Sequence, residues 1–196
     1  MRTRDESKEK AIHDEALKLI VTQGFDGLSM HKLAKAAGVS PATIYIYYKD
    51  REDLIKQMAA KEIDNLLEAS LKNFNPQMSF SEGLKIQWKN RSRYFMEHPL
   101  QMKFMEQIRY SPYHKEPSLE KSSFVKIMGE FIKKAIANRE LKPLPIEVYW
   151  SLAFAPLYKL VEFHVNKKGM NGRKYQLTDQ DLEAALSSVL QGLKPE

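Results

Sequence analysis

The sequence contains no cysteine and no long apolar segment. The absence of cysteine excludes disulfide bonds, thiolate metal sites and a cysteine nucleophile, and it is typical of proteins in a reducing cytosol. No apolar run approaches the roughly 20 residues that a membrane-spanning helix needs. The N-terminal residues, MRTRDESKEK, also lack the apolar region of a signal peptide. We therefore expect a cytoplasmic protein with no membrane partner.

The common motifs of catalysis and cofactor binding are also missing. The five histidines are scattered without metal-ligand spacing, and there is no GxSxG, P-loop or GxGxxG pattern. A length of 196 residues with 43% hydrophobic residues is sufficient for a real core. We therefore expect a globular protein with no metal, no cofactor and no enzymatic activity.

The first part of the chain has no excess charge of either sign. A formal net charge of +6 favours a polyanionic partner. Up to Asn75, however, 12 Lys and Arg residues are balanced by 12 Asp and Glu, whereas the remainder holds 19 against 13. Bulk charge therefore does not identify a nucleic-acid-binding end. Local charge is more informative, because residues 30–51 contain four basic residues and one acidic residue.

Residues 30–51 read MHKLAKAAGVSPATIYIYYKDR and predict two short helices separated by Gly38-Val39. The first has apolar residues at i, i+3, i+4 and i+7. The second begins with Ser40 as N-cap and Pro41 at the first helical position, where the missing N–H costs nothing. Two helices joined by a tight glycine turn form a helix-turn-helix, whose second helix can lie in the major groove of DNA.

A helical projection assigns each residue of this second helix to a face. At 100° per residue, Ile44 and Tyr48 point inward, whereas Tyr45 and Tyr47 lie on the two flanks, where their hydroxyls can reach phosphates. The predicted DNA contacts are Ser29, Ser40, Tyr45, Tyr47, Lys49 and Arg51 around the helix, the groove-facing Pro41, Ala42, Thr43 and Ile46, and Lys32 of the preceding helix.

The groove-facing residues have an unusual composition for base reading. None is Arg, Lys, Asn or Gln, so the bidentate pairings to guanine and adenine are missing from this face. The hydroxyl of Thr43 and three apolar surfaces remain, and the latter suit thymine methyl groups. The pattern predicts half-sites that contain thymine. Reading of a base edge by Lys32 is the alternative.

The run GVSPATIYIYYKDREDL resembles the signature of the TetR family of bacterial transcriptional repressors. The resemblance is strong from about Lys8 to Met58, and beyond that it is one of layout only. It implies an all-α homodimer that associates through the last two helices of each chain. It also implies binding to a double-stranded DNA operator.

Helical patterns continue through the rest of the chain without a β-hairpin signal or a repeat. They predict an all-α fold of about nine helices, with a three-helix helix-turn-helix head in residues 1–50, a connecting helix in 51–75 and a ligand-binding and dimerisation body in 76–196. The predicted body helices are about Phe80–Glu97, Leu100–Tyr110, Pro117–Asn138, Pro145–Lys167 and Thr178–Leu193.

The helix around Trp150–Val165 is apolar over more than half of its circumference. Such a helix needs cover on two sides. We expect it to form a four-helix interface between two chains together with the last helix; the alternative is a helix wrapped entirely within one chain. The predicted interface residues are Phe154, Leu157, Val161, Leu182, Leu186 and Val189.

Arg91 lies on the apolar stripe of the Phe80 helix. A guanidinium on such a stripe must either find an anion or extend out to solvent. It would either clamp the carboxylate or phosphate of a small ligand, or pair with a protein carboxylate such as Glu97, Glu106 or Glu130. The residues that form either an apolar ligand pocket or plain core are Trp88, Arg91, Phe95, Phe104, Tyr110, Met128, Phe154 and Tyr158.

Together these patterns predict a homodimeric repressor that binds a pseudo-palindromic operator and is released by an unknown small-molecule inducer. Two alternatives remain open. One is a sequence-tolerant architectural DNA-binding protein without a ligand. The other is a helical enzyme or carrier whose head is only a docking module.

Overall fold

The structure is a computed structural model that describes residues 5–113 and 123–195. These residues fold into α-helices with two short 3-10 turns, and they contain no strand, which confirms the predicted all-α class. The helices are α1 (Glu6–Gln23), α2 (Met30–Ala36), α3 (Pro41–Tyr47), α4 (Arg51–Ser70), α5 (Phe80–Glu97), α6 (Pro99–Arg109), α7 (Ser123–Ala137), α8 (Ile146–Ala153), α9 (Ala155–Val165) and α10 (Asp179–Leu193). Across the described ranges, no helix is both long and apolar enough to cross a membrane.

The described residues divide into two compact units, 5–64 with 99–113 and 65–98 with 123–195. The first unit contains α1, α2, α3 and α6 with the start of α4. Its core consists of apolar side chains from all five of these helices. A fully buried aliphatic side chain contributes about 1.5–3 kcal/mol relative to an exposed one. The buried core residues that have no exposed surface are Ile12, Ala16, Ile20, Leu33, Ile44, Leu54, Ile55 and Phe104.

The second unit contains the end of α4, α5 and α7–α10. Two helices begin with the capping boxes that their sequences favour, Ser79 with Glu82 and Thr178 with Asp181. Helices α5 and α7 pack closely at Gly83, where an added Cβ would lie 2.4 Å from the ring of Phe131. Only a glycine allows this approach without displacing the ring.

The helix predicted over Pro145–Lys167 is broken into α8 and α9 at Phe154. The backbone of Phe154 leaves the helical region (φ −127°, ψ −29°). Pro156 has no N–H to donate to the carbonyl four residues earlier, and its ring would clash with that carbonyl. The indole Nε1 of Trp88 donates to the carbonyl of Ala153 at 2.7 Å, so a side chain supplies a hydrogen bond to a backbone carbonyl at the break. Pro156 therefore accounts for the break between α8 and α9.

The predicted Pro117–Asn138 helix is observed from Ser123 onward as α7. The part of that prediction before residue 123 lies outside the described residues.

Candidate DNA-binding and ligand sites

Helices α2 and α3 form a helix-turn-helix whose ends are fixed by side chains. The Ser29 hydroxyl accepts from the N–H of Lys32 at 3.2 Å, and the Ser40 hydroxyl accepts from the N–H of Thr43 at 3.2 Å. Gly38 in the turn has φ +66°, a conformation that favours glycine. Ser40 therefore caps α3 as predicted, and Ser29 caps α2.

The exposed side of α3 is formed by the residues predicted to face a groove. Ile44 and Tyr48 are buried, which confirms the inward face. Ala42 and Ile46 are exposed, and Thr43 and Pro41 are half-buried at the start of the helix. Tyr45 and Lys49 are exposed beside them. DNA contact by any of these residues remains a prediction.

Tyr47 does not lie on an exposed flank, and that prediction is wrong. Its side chain is only 5% exposed. The hydroxyl accepts from the backbone N–H of Asp5 at 2.9 Å and donates to the carbonyl of Asp5 at 3.1 Å. Tyr47 follows Ile44 by three residues, a spacing that places both on one side of a helix. It fixes the residue that caps α1 rather than reaching a phosphate.

Replacing Tyr47 with phenylalanine is expected to lower the free energy of unfolding by about 1–2 kcal/mol, because two backbone groups of Asp5 lose their partner. Urea unfolding measures the loss. The exposed Tyr45 provides a matched control, and Tyr45→Phe should change stability by less than about 0.5 kcal/mol. If Tyr47→Phe leaves stability unchanged but weakens DNA binding, the hydroxyl of Tyr47 contacts a phosphate as first predicted.

Arg51 is also held inside the first unit. Its guanidinium donates to the carbonyl of Phe25 and, at 3.2 Å, to the hydroxyl of Tyr113. The carboxylate of Asp26 lies 4.0 Å away. Since these groups bind the guanidinium, the structure does not place Arg51 as the free phosphate contact that was predicted.

Lys32 and Lys49 remain exposed at the same surface. The ammonium of Lys32 donates to the side chain of Gln23. The backbone N–H of Lys49 donates to Asp53 at 2.8 Å, and the side chain of Gln57 does so too. These two hydrogen bonds, the one from Gln57 first, lower the pKa of Asp53. The carboxylate therefore stays ionised at the start of α4, where it stabilises the helix N-terminus.

Arg91 is the most deeply buried cation among the described residues of the second unit, with 5% of its surface exposed. Its Nε donates to Gln87 at 3.1 Å and its Nη1 donates to the hydroxyl of Tyr158 at 2.6 Å. The guanidinium carbon lies 4.7 Å from the ring centre of Phe154 and 5.8 Å from that of Phe124. All of these partners are neutral.

No carboxylate of the described residues lies within 4 Å of this guanidinium. The predicted pairing with Glu97, Glu106 or Glu130 is therefore absent; Glu130 instead accepts from Gln77 at 2.6 Å. The positive charge of Arg91 is buried without a negative partner among these residues.

Tyr149 of α8 contributes a second unusual polar group to the second unit. Its hydroxyl is buried and, within the described part of the chain, has no hydrogen-bond partner. Burial raises the pKa of the phenol, and the nearby charge of Arg91 acts in the opposite direction. The phenol is thus neutral, and it lies close enough to Arg91 for an electrostatic interaction between them.

The structure retains only part of the predicted ligand pocket. Phe104 belongs to the core of the first unit, and Tyr110, also in the first unit, is 88% exposed. Met128 is half-buried on α7. The predicted residues that lie with Arg91 in the second unit are Trp88, Phe95, Phe154 and Tyr158.

Two residues of this cluster, Gln87 and Tyr149, were not predicted. Gln87 precedes Arg91 by one helical turn, which was a usable signal. Tyr149 reaches the cluster through the packing of α8, which no local pattern shows.

The predicted dimer residues are mostly core residues of a single chain. Phe154, Leu157, Val161 and Leu186 have almost no exposed surface, so they cannot contribute contact area to a second chain. Their assignment to the interface is therefore corrected. Leu182 and Val189 are half-buried on α10. The exposed apolar side chains of α8 are instead Ile146, Val148, Trp150 and Leu152.

The helix-turn-helix with its exposed second helix defines a DNA-binding protein with an additional helical unit. Residues 12–58 match the model of the bacterial regulatory proteins of the tetR family. A TetR-family regulator from Marinobacter aquaeolei has a similar crystal structure, with 27% identity, full coverage of both chains and a TM-score of 0.82. Residues 12–58 therefore form a DNA-binding domain of the tetR family, and the chain as a whole has the fold of a TetR-family regulator.

Two further relatives cover different shares of the chain. An uncharacterised helix-turn-helix regulator from Haemophilus influenzae is 31% identical over 50% of this chain, and the match spans about half of that relative, 53%. The FadR regulator from Bacillus subtilis, solved in complex with stearoyl-CoA, is 23% identical over 93% of this chain and 96% of its own, with a TM-score of 0.67. At that identity, the second likeness shows a shared fold.

Proposed function

We propose that the protein is a homodimeric repressor that binds a pseudo-palindromic operator through α3 and is released by a small-molecule inducer. The observation that carries the proposal is the exposed surface of α3, held by the caps Ser29 and Ser40. One such helix reads only a few base pairs, so useful affinity requires two copies on one duplex. The exposed apolar side chains of α8 supply a surface for the second copy.

A footprint on the DNA that flanks its own gene tests this function. We expect a symmetric protected site whose two halves are separated by about one helical turn of DNA. Protection of all DNA regardless of sequence, increasing with protein concentration, would instead support a sequence-tolerant architectural DNA-binding protein.

The reading of thymine methyl groups gives a separate expected result. The groove-facing residues offer apolar surfaces and the hydroxyl of Thr43, so we expect discrimination of about 1–3 kcal/mol at one or two positions per half-site. Replacing those thymines with uracil removes only the methyl group and should weaken specific binding, while binding to unrelated DNA should not change. Competition binding with the two duplexes measures the difference.

A substitution of Lys32 tests the alternative in which α2 reads the bases. The side chain of Lys32 is exposed and lies on α2, outside the surface of α3. If uracil operators bind as well as thymine operators while Lys32→Ala relaxes specificity, α2 reads the operator and the assignment to α3 is wrong.

The inducer is expected to bind in the second unit. The complex of the Bacillus subtilis FadR regulator with stearoyl-CoA supports a ligand with a long apolar chain, and the aromatic side chains around Arg91 suit such a chain. Because coupling between two sites is reciprocal, a ligand that weakens operator binding must itself bind less tightly to the operator-bound protein. Titration of fatty acids and acyl thioesters into the operator complex measures the release.

A further inference from the structure

We propose that Arg91, together with the hydroxyls of Tyr149 and Tyr158, binds the ionised carboxylate of an inducer whose remaining part is apolar. This inference rests on the proposed release by a ligand and names its chemical class. It assigns a free acid, not a thioester or a phosphate ester, as the ligand.

The charge of Arg91 is the first reason. A buried guanidinium is stable when it is paired with an anion. Here its hydrogen-bond acceptors are the neutral side chains of Gln87 and Tyr158, and a phenylalanine ring covers one face. The described part of the chain leaves the charge without a counterion, so an anionic ligand is the partner that would neutralise it.

The hydroxyl of Tyr149, which has no hydrogen-bond partner among the described residues, is the second, independent reason. A buried hydroxyl without a partner destabilises the protein. This hydroxyl can donate one hydrogen bond, and the hydroxyl of Tyr158, which accepts from Arg91 at 2.6 Å, also keeps its own proton to donate. Helices α5, α8 and α9 thus bring one guanidinium and two phenol donors into the same unit. A carboxylate has the acceptor oxygens that such a set requires.

The surroundings decide between a carboxylate and a more highly charged group. Arg91 supplies a single positive charge, and among the described residues it also contacts the rings of Phe124 and Phe154. A dianionic phosphate or the phosphates of coenzyme A would be buried there with uncompensated charge. A thioester carbonyl carries no charge and would leave Arg91 unpaired. A fatty acid satisfies both the charge and the aromatic surroundings.

The site also lies at the break between α8 and α9. The ring of Phe154, the residue at the break, lies against the guanidinium of Arg91. The indole N–H of Trp88 donates a hydrogen bond to the neighbouring carbonyl of Ala153. A carboxylate that draws the guanidinium to itself changes the packing of Phe154. Since α8 carries the exposed apolar side chains, the ligand acts on the helix expected to join two chains.

Isothermal titration of the full-length protein with oleate, methyl oleate and oleoyl-CoA tests the proposal. We expect oleate to bind more tightly than its methyl ester, which has the same chain but no charge. Arg91→Met should weaken oleate binding roughly 10- to 100-fold, the effect of losing a charge-assisted hydrogen bond, and should leave methyl oleate unaffected. Arg93→Met is the matched control, because Arg93 is exposed on the same helix; its affinity for oleate should equal that of the wild type.

Tyr149→Phe keeps the test decisive even if Arg91→Met does not fold. Because this hydroxyl lacks a partner within the described residues, its removal should leave thermal stability unchanged or raise it. It should nevertheless weaken oleate binding several-fold. A structural tyrosine would show the reverse pattern, and that result would overturn its role in the site.

The outcomes also separate this inference from the proposed function. Equal affinity for oleate and methyl oleate, or oleoyl-CoA binding that ignores Arg91, would overturn the carboxylate site while leaving a ligand-released repressor intact. Oleate that binds in an Arg91-dependent way without releasing the operator would support the carboxylate site and contradict the proposed release.

Discussion

Replacing Val148 and Leu152 with glutamate is expected to produce folded monomers that no longer bind the operator specifically. The two residues lie one turn apart on the same side of α8, and 43% of the Leu152 side chain is exposed. In a symmetric dimer each substitution occurs twice on the same interface. Four carboxylates would then be desolvated close to each other, and such like-charge contacts cost several kcal/mol. Sedimentation velocity and operator binding measure the two effects.

Two other variants show whether the effect belongs to this surface. Met170→Glu places a carboxylate on an exposed residue after α9 and should leave the dimer intact. Phe154→Arg buries a charge in the core of one chain and should unfold the protein rather than separate two chains. A Val148→Glu, Leu152→Glu double variant that sediments as an intact dimer would show that α8 is not in the interface.

The helices that sequence alone predicted well are those with local signals at their ends. The bounds of α5 coincide with the expected ones, because the capping box of Ser79 and Glu82 precedes the helix and an apolar stripe continues to its end. The helix-turn-helix was equally predictable, since Ser29, Ser40 and Gly38 determine its ends through contacts within a few residues. Contacts of this range are visible in a sequence.

The errors concern contacts between residues that are far apart in the sequence. A helical projection places Phe154 and Leu186 on apolar faces. It does not show whether the residues that pack against these faces belong to the same chain, as they do here, or to a second chain. Tyr47 was misplaced because its partner, Asp5, precedes it by 42 residues. In α3, with only seven residues, a neighbour outside the helix decides which flank is buried.

The candidate ligand site was predictable only in part, because its contacts also join residues that are far apart in the sequence. The position of Arg91 on an apolar stripe was visible, and burial followed from it. Which side chains accept from its guanidinium was not visible, because Tyr158 lies 67 residues away. The absence of a carboxylate beside Arg91 among the described residues becomes visible only once the second unit is folded.

Replacing Ile46 with glutamate is expected to abolish DNA binding while the protein remains folded and dimeric. Ile46 is 38% exposed on the outer side of α3 and contributes little to the core. A carboxylate there would face the phosphates on both sides of the groove, and a dimer presents two copies. Like-charge contact of this kind costs several kcal/mol, so affinity should fall about 100-fold or more. Binding to operator and to unrelated DNA should both decrease, because the repulsion acts on the backbone rather than on bases.

Ile46→Gln separates the charge from the loss of the apolar side chain. Glutamine has nearly the same size and shape as glutamate and is neutral, so this variant should lose only the thymine contact. We therefore expect a smaller decrease, limited to operator DNA, with binding to unrelated DNA unchanged. If Ile46→Glu binds the operator as tightly as the wild type, then the exposed side of α3 does not face DNA, and neither the predicted groove contacts nor the reading of thymine can be correct.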